Sequence, residues 1–238
     1  MPPAASRSPK QRADDIIAML KRRGSRSVRD GMARYAIPSD RAFGVSVGTM
    51  REMAKGLGRD HDAALELWKS GWYEARMIAA FLGEPERLTP ALMDRWCRDF
   101  DNWAICDHVC FHLFDRTPHA WGRVRAWSTR RDEFGKRAAF ALLASVALHD
   151  KTAPDAALLK CLPLIERAAA DDRNFVKKGV SWALRLIGRR NLALHAAAVE
   201  MASRMSSSDL PSARWIGKDA YRELTSAAVV KRLKARTA

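Results

Sequence analysis

Apolar residues return every three to four positions from residue 12 to residue 226, and nowhere does the chain alternate apolar and polar residues as a half-buried strand does. That periodicity admits one secondary structure. Successive amphipathic helices are predicted over 12–23, 27–35, 47–57, 60–69, 73–82, 89–99, 102–114, 118–127, 134–149, 154–169, 173–187, 192–205 and 211–226. Local signals mark several boundaries. Gly24 stops the first helix, Ser27 is placed to cap the second, Thr89-Pro90 pairs a capping hydroxyl with a proline at the first helical position, and Asn102 caps the helix after it. Composition agrees, since alanine, leucine and arginine dominate and glycine is held to 13 residues in 238.

Connections of a few residues make neighbouring helices antiparallel, so helix pairs recur at a spacing of about 35–45 residues, the range of HEAT-like repeats. The expected fold is all-α: a curved superhelix of antiparallel helix pairs, a HEAT-like or armadillo-like solenoid. Residues 1–10 read as a disordered tail, 11–228 as a single repeat domain, and 229–238 as a basic C-terminal tail. The longest apolar run, 138–148, is too short for the roughly 20 residues of a bilayer span, and no apolar signal core follows the start, so a cytoplasmic location is expected. Cys97, Cys106, Cys110 and Cys161 lie among apolar neighbours and read as reduced core thiols.

The charge balance narrows the partner. Forty-two Lys+Arg against 27 Asp+Glu leave a net +15, spread through most of the folded sequence. Such a surface concentrates a polyanion, and with no amphipathic anchor at either end to suggest a membrane, nucleic acid is the better match. On the helix over 173–187, Val176, Val180, Ala183, Leu184 and Ile187 form the core stripe. Lys178, Trp182, Arg185 and Arg189 follow one another at i, i+4, i+7 and i+11 on a different face. A tryptophan between cations suits phosphate tracking and stacking, while a solvated charged face is the plainer alternative. On the helix over 102–114, Cys106, Val109, Cys110 and Leu113 face the core, and Trp103 and Asp107 share the adjacent face. An ion pair for Asp107 and a core anchor for Trp103 are the plainer alternatives there. Arg137 falls in the first turns of the helix over 134–149, where a backbone phosphate can dock. His108 and His112 stand one turn apart beside two cysteines, but no second ligand pair at metal spacing exists. No Walker loop, dinucleotide fingerprint or HExxH motif is present, so neither metal nor cofactor is expected. Trp68, Trp72, Trp96, Trp121, Trp127 and Trp215 are assigned to helix packing.

The set Trp103-x-x-x-Asp107, Arg137-Ala138-Ala139 and Trp182-x-x-Arg185 resembles the bacterial DNA alkylation repair glycosylases of the AlkC/AlkD type, over about residues 28–225. The resemblance implies a HEAT-like superhelix gripping duplex DNA, and hydrolysis of the N-glycosidic bond of cationic N3- or N7-alkylpurines without a base-reading pocket. By position it implies Asp107 as the catalytic carboxylate, with Trp103 and Trp182 flanking the sugar of the lesion nucleotide. Arg137 and Arg185 would be phosphate ligands, joined on the same face by Lys178 and Arg189. Related sequences often carry an acid directly after the first tryptophan, where this chain has Ala104. The expected partner is duplex DNA containing alkylated purines, bound by a monomer with no obligate protein partner and no membrane contact. The alternatives are a non-catalytic helical-repeat DNA-binding module and a protein-interaction solenoid. A carboxylate on a DNA-facing surface argues for the enzyme, because a pure binder only loses by it.

Overall fold

The computed structural model describes residues 7–235, and among them there are helices and no strands. The chain divides into two compact units, Met1–Thr117 and Pro118–Ala238, within what the sequence presents as one repeat domain. The first holds α1 (Pro9–Arg22), α2 (Arg26–Gly31), α3 (Val47–Leu57), α4 (His61–Lys69), α5 (Tyr73–Leu82), α6 (Pro90–Arg98) and α7 (Trp103–His112). The second holds α8 (Ala120–Trp127), α9 (Glu133–His149), α10 (Asp155–Leu159), α11 (Leu162–Ala168), α12 (Asn174–Gly188), α13 (Leu192–Ser206), α14 (Pro211–Leu224) and α15 (Ala227–Lys234).

Both ends of the chain are more helical than the sequence reading has them. Ser8 accepts from the Gln11 backbone N–H while Gln11 Oε1 accepts from the Ser8 N–H, a reciprocal capping box with Pro9 at the first position. Helix α1 therefore starts inside the segment read as tail. At the other end, Val229 and Leu233 are both buried, one turn apart on α15. The remaining tail residues, 1–6 and 236–238, lie outside the described residues. Two internal boundaries also differ. Ser25 rather than Ser27 caps α2, and a 3₁₀ turn over Met32–Tyr35 follows it. The helix expected over 154–169 is broken into α10 and α11, because Pro163 lacks an N–H and enforces a fresh helix start.

In the first unit α1 packs on α4, α4 on α5, and α5 on both α3 and α7. Trp68 and Trp96 stack face to face at 4.0 Å between centroids, and the Trp68 indole N–H donates to Asp99 at 2.8 Å. The feature that fixes the loop before α3 is Glu74, a fully buried acid on α5. Its carboxylate accepts from the successive backbone N–H groups of Phe43, Gly44 and Val45 at 2.7–3.1 Å. Gly44 sits at φ +83°, and a Cβ there would lie 2.1 Å from the Ser25 carbonyl, so only glycine permits this wrap.

In the second unit the longer helices α9, α12 and α14 run parallel and side by side. Glu133 accepts from the Phe175 N–H at one end of the α9–α12 seam, and Arg190 donates to the Ala147 carbonyl at the other. One helix later, Lys177 lies over Trp215, Ser181 donates to Asp219, and Arg185 pairs with Glu223. Each of these three contacts spans 38 residues, so the repeat length stands in the hydrogen bonding itself. On its other side α14 lies close to α13, where a Cβ on Gly217 would be 2.3 Å from the Ser206 backbone nitrogen.

Replacing Glu74 by Gln keeps the shape but turns an amide N–H toward three backbone donors. Because an unmet buried donor costs about 1–3 kcal/mol, the variant is expected to lower stability by that order in urea titrations, and Gly44→Ala to do at least as much. An unchanged midpoint in both variants would mean that this loop contributes nothing to the fold.

Candidate functional site

Helix α7 begins at Asn102, whose buried side chain accepts from the Ile105 N–H at 3.0 Å and receives no competition from solvent. This cap sets Trp103 at the first helical position and Asp107 one turn on. Cys106, Val109, Cys110 and Leu113 are fully buried, as the periodicity requires, while Trp103 and Asp107 are half-buried on the neighbouring face. The Trp103 ring is held by a contact the sequence does not reveal. Its indole N–H donates to the Tyr35 carbonyl at 2.7 Å, where the chain turns through Ala36 at φ +53°. Tyr35 is itself 65% exposed, so the tether lies at the surface. Trp103 is thus neither a core anchor nor a free rotor. Two cavities of the first unit, about 480 and 370 Å³, are lined by other residues, including Arg12, Ile16 and Met19 in one and Arg29, Phe43 and Trp72 in the other.

The neighbours of this pair offer no second chemistry. Burial pushes the His108 imidazole down to about 3, with His112 adding to the effect, and its Nε2 lies 3.1 Å from the Met77 carbonyl. Burial likewise raises the Cys110 thiol well above its ordinary range, with Cys106 beside it, so no thiolate forms there at neutral pH. Among the described residues no three His, Cys, Asp or Glu side chains gather as a metal site.

In the second unit Lys178, Trp182, Arg185 and Arg189 do share one face of α12. Lys178 is exposed and the other three are half-exposed. Their electrostatic states differ. Arg185 pairs with Glu223 and lies 3.7 Å from Asp219, and Arg189 reaches the other oxygen of Glu223 at 3.2 Å. One carboxylate on α14 therefore sits between two of the guanidinium groups expected to meet phosphate. Lys178 has no acidic partner among the described residues. Arg137 is only 6% exposed, and its Nη1 donates to the Phe175 carbonyl at 2.7 Å across the α9–α12 seam. The position expected to offer Arg137 to a backbone phosphate is packed against α12, leaving little of the guanidinium in reach of a ligand. At the head of the same seam Asp171 is held far below the usual carboxylate range by Arg173 and Lys136.

The charge is unevenly placed. The second unit carries 23 Lys+Arg against 11 Asp+Glu, hence +12 of the total +15, while the first carries 19 against 16, hence +3. The carboxylate Asp107 lies in the nearly balanced unit and the basic face of α12 in the strongly cationic one. The tryptophans assigned to packing divide as well. Trp68, Trp96 and Trp127 are buried, whereas Trp215 is 38% exposed with Lys177 Nζ 5.1 Å from its ring centre. The signal that was available for it is its spacing from Lys218 and Arg222 on one helix face.

Stacked helix pairs with a surface of cations and tryptophans define a helical-repeat protein of the HEAT-like class. Residues 16–224 match the family described as DNA alkylation repair enzyme, and the chain belongs to that family. A solved structure has the same fold, with a TM-score of 0.73 and 19% identity over 88% of this chain and 94% of that one. It is described as a new family of proteins related to the HEAT-like repeat DNA glycosylases, with affinity for branched DNA structures. No curated protein matches the chain significantly. Among the described residues no helix is long and apolar enough to cross a membrane.

The shared carboxylate yields a test. Glu223→Gln leaves a hydrogen-bonding side chain but releases charge on Arg185 and Arg189. It is expected to tighten duplex DNA binding and to steepen the log–log salt dependence by up to about 0.9 for each phosphate gained, while Arg185→Ala weakens binding. If neither substitution alters affinity or slope in salt titrations, these ion pairs serve only to join α12 to α14.

Proposed function

We propose that this protein is a DNA glycosylase that releases cationic N3- and N7-alkylpurines from duplex DNA, with Asp107 as its catalytic carboxylate. The observation that carries this reading is the α7 pair: a half-buried acid one turn from a tryptophan whose ring is fixed by the Tyr35 carbonyl. Membership in the DNA alkylation repair family supports it.

The chemistry asks for little more. Alkylation at N3 or N7 leaves the purine positively charged, so it departs as a neutral base and the electron pair of the glycosidic bond goes with it. Positive charge then develops at C1′ and the ring oxygen of the deoxyribose. A carboxylate fixed beside that sugar stabilises the cation and accepts a proton from the attacking water, whose oxygen completes the hemiacetal. The electron-rich face of Trp103 adds to the same stabilisation, by about 0.5–2 kcal/mol if water is excluded. Lys178, Trp182, Arg185 and Arg189 on α12 take the DNA, with Arg137 fixing α12 against α9. At position 104, where the family resemblance leads to a second acid, this chain has alanine, so Asp107 acts alone. No metal or cofactor has a part in this scheme.

A second reading, a helical-repeat protein that binds DNA without cutting it, is favoured by the solved structure described by its affinity for branched DNA. Single-turnover release of 7-methylguanine or 3-methyladenine from methylated duplex separates the two. The wild type is expected to release free base, and Asp107→Asn to do so about 10²–10³ times more slowly, with DNA affinity equal or higher. Equal rates would remove Asp107 from the chemistry. Absence of release by the wild type on any methylated duplex would leave the binder.

A further inference from the structure

Helix α14 presents an outer face that the proposed excision chemistry leaves unused. Trp215, Lys218 and Arg222 follow at i, i+3 and i+7, with Tyr221 beside them, and all four are exposed. The two acids of α14, Asp219 and Glu223, continue the stripe that begins at Trp215 along the flank turned to α12, and both are engaged there. Asp219 accepts from Ser181 at 2.7 Å, and Glu223 binds Arg185 and Arg189, so both are directed toward α12. Arg222 touches Asp219 at 2.8 Å, whereas Lys218 has no acidic partner among the described residues. The face is cationic, carries two aromatic rings and borders the α12 face in register.

It is also rigid. Gly217 brings α14 so close to α13 that a Cβ would strike the Ser206 backbone, and Ser212 donates to the Ala169 carbonyl at 2.7 Å. Lys177 lies over the Trp215 ring, fixing the indole while leaving it 38% exposed. Cations alone satisfy the phosphates of a duplex. A large exposed indole adds nothing there, because paired bases are already stacked and opening a step costs several kcal/mol. Against an unpaired base the same ring supplies a stacking surface, as in proteins that hold single strands.

We infer that the outer face of α14 binds an unpaired DNA strand, with Trp215 stacking on a base and Lys177, Lys218 and Arg222 following the phosphates. This rests on the reading of the protein as DNA-binding, and not on its catalysing excision. The protein would then hold single-stranded segments adjoining the duplex bound by α12.

The test uses the full chain and undamaged DNA: a single-stranded oligothymidylate, and in parallel a blunt hairpin duplex, each titrated over a range of salt. Trp215→Ala is expected to weaken single-strand binding about tenfold while duplex affinity changes less than twofold, and Trp215→Phe to retain most of it. Lys218→Ala is expected to reduce the single-strand salt slope by about 0.7. Thermal midpoints close to the wild type, as expected at an exposed position, show that the fold is intact. Single-strand affinity unchanged in Trp215→Ala, an equal loss on the duplex, or no single-strand binding by a wild type that binds duplex overturns the inference. A wild type that binds neither DNA overturns the DNA-binding reading beneath it as well.

Discussion

The second unit depends on the parallel register of α9, α12 and α14. Along the seam between α9 and α12, backbone and side-chain donors of one helix meet acceptors of the other. Contacts exactly one repeat apart then fix α14 against α12. A helix gripped on two sides cannot rotate, so its remaining face must be polar and outward. That is why Lys178 is exposed and Trp182 half-exposed while Arg185 and Arg189 lean onto Glu223 of α14, and why Arg137, caught in the seam, is buried. Preorganisation of this kind lets a binding surface meet a ligand without first paying for order.

Charge is arranged with the same economy. The second unit holds most of the net positive charge, yet Glu223 and Asp219 hold back Arg185 and Arg189. Acids that orient guanidinium groups lower their long-range attraction to a polyanion but fix their position. In the first unit, with its near balance of charge, Asp107 is retained beside Trp103. If Asp107 faces DNA, as proposed, it repels phosphate, and its presence there calls for a compensating gain. Under the proposed mechanism that gain is the stabilisation of a sugar cation.

The fold was largely legible because helical periodicity is local. The Ser8–Gln11 capping box is a local signal, but it lies inside a polar segment whose composition matches a tail. Pro163 signalled the break between α10 and α11, and an apolar run through it hid the signal. The α7 pair and the α12 stripe were readable because each lies on one helix. What was not readable is contact across sequence: Glu74 with backbone donors some thirty residues earlier, Trp103 with Tyr35, and Glu223 with two arginines a repeat away. Only the last has a rule behind it, and the rule requires knowing the 38-residue period first.

The proposed mechanism stands on Asp107 facing positive charge on a sugar. A duplex carrying a pyrrolidine in place of the deoxyribose presents that charge at equilibrium, and a tetrahydrofuran in the same place does not. Dissociation constants measured for both are expected to show the wild type preferring the cationic duplex, and Asp107→Asn binding the two alike. Equal affinity of the wild type for both, or a preference that survives Asp107→Asn, would contradict a role for this carboxylate at the sugar.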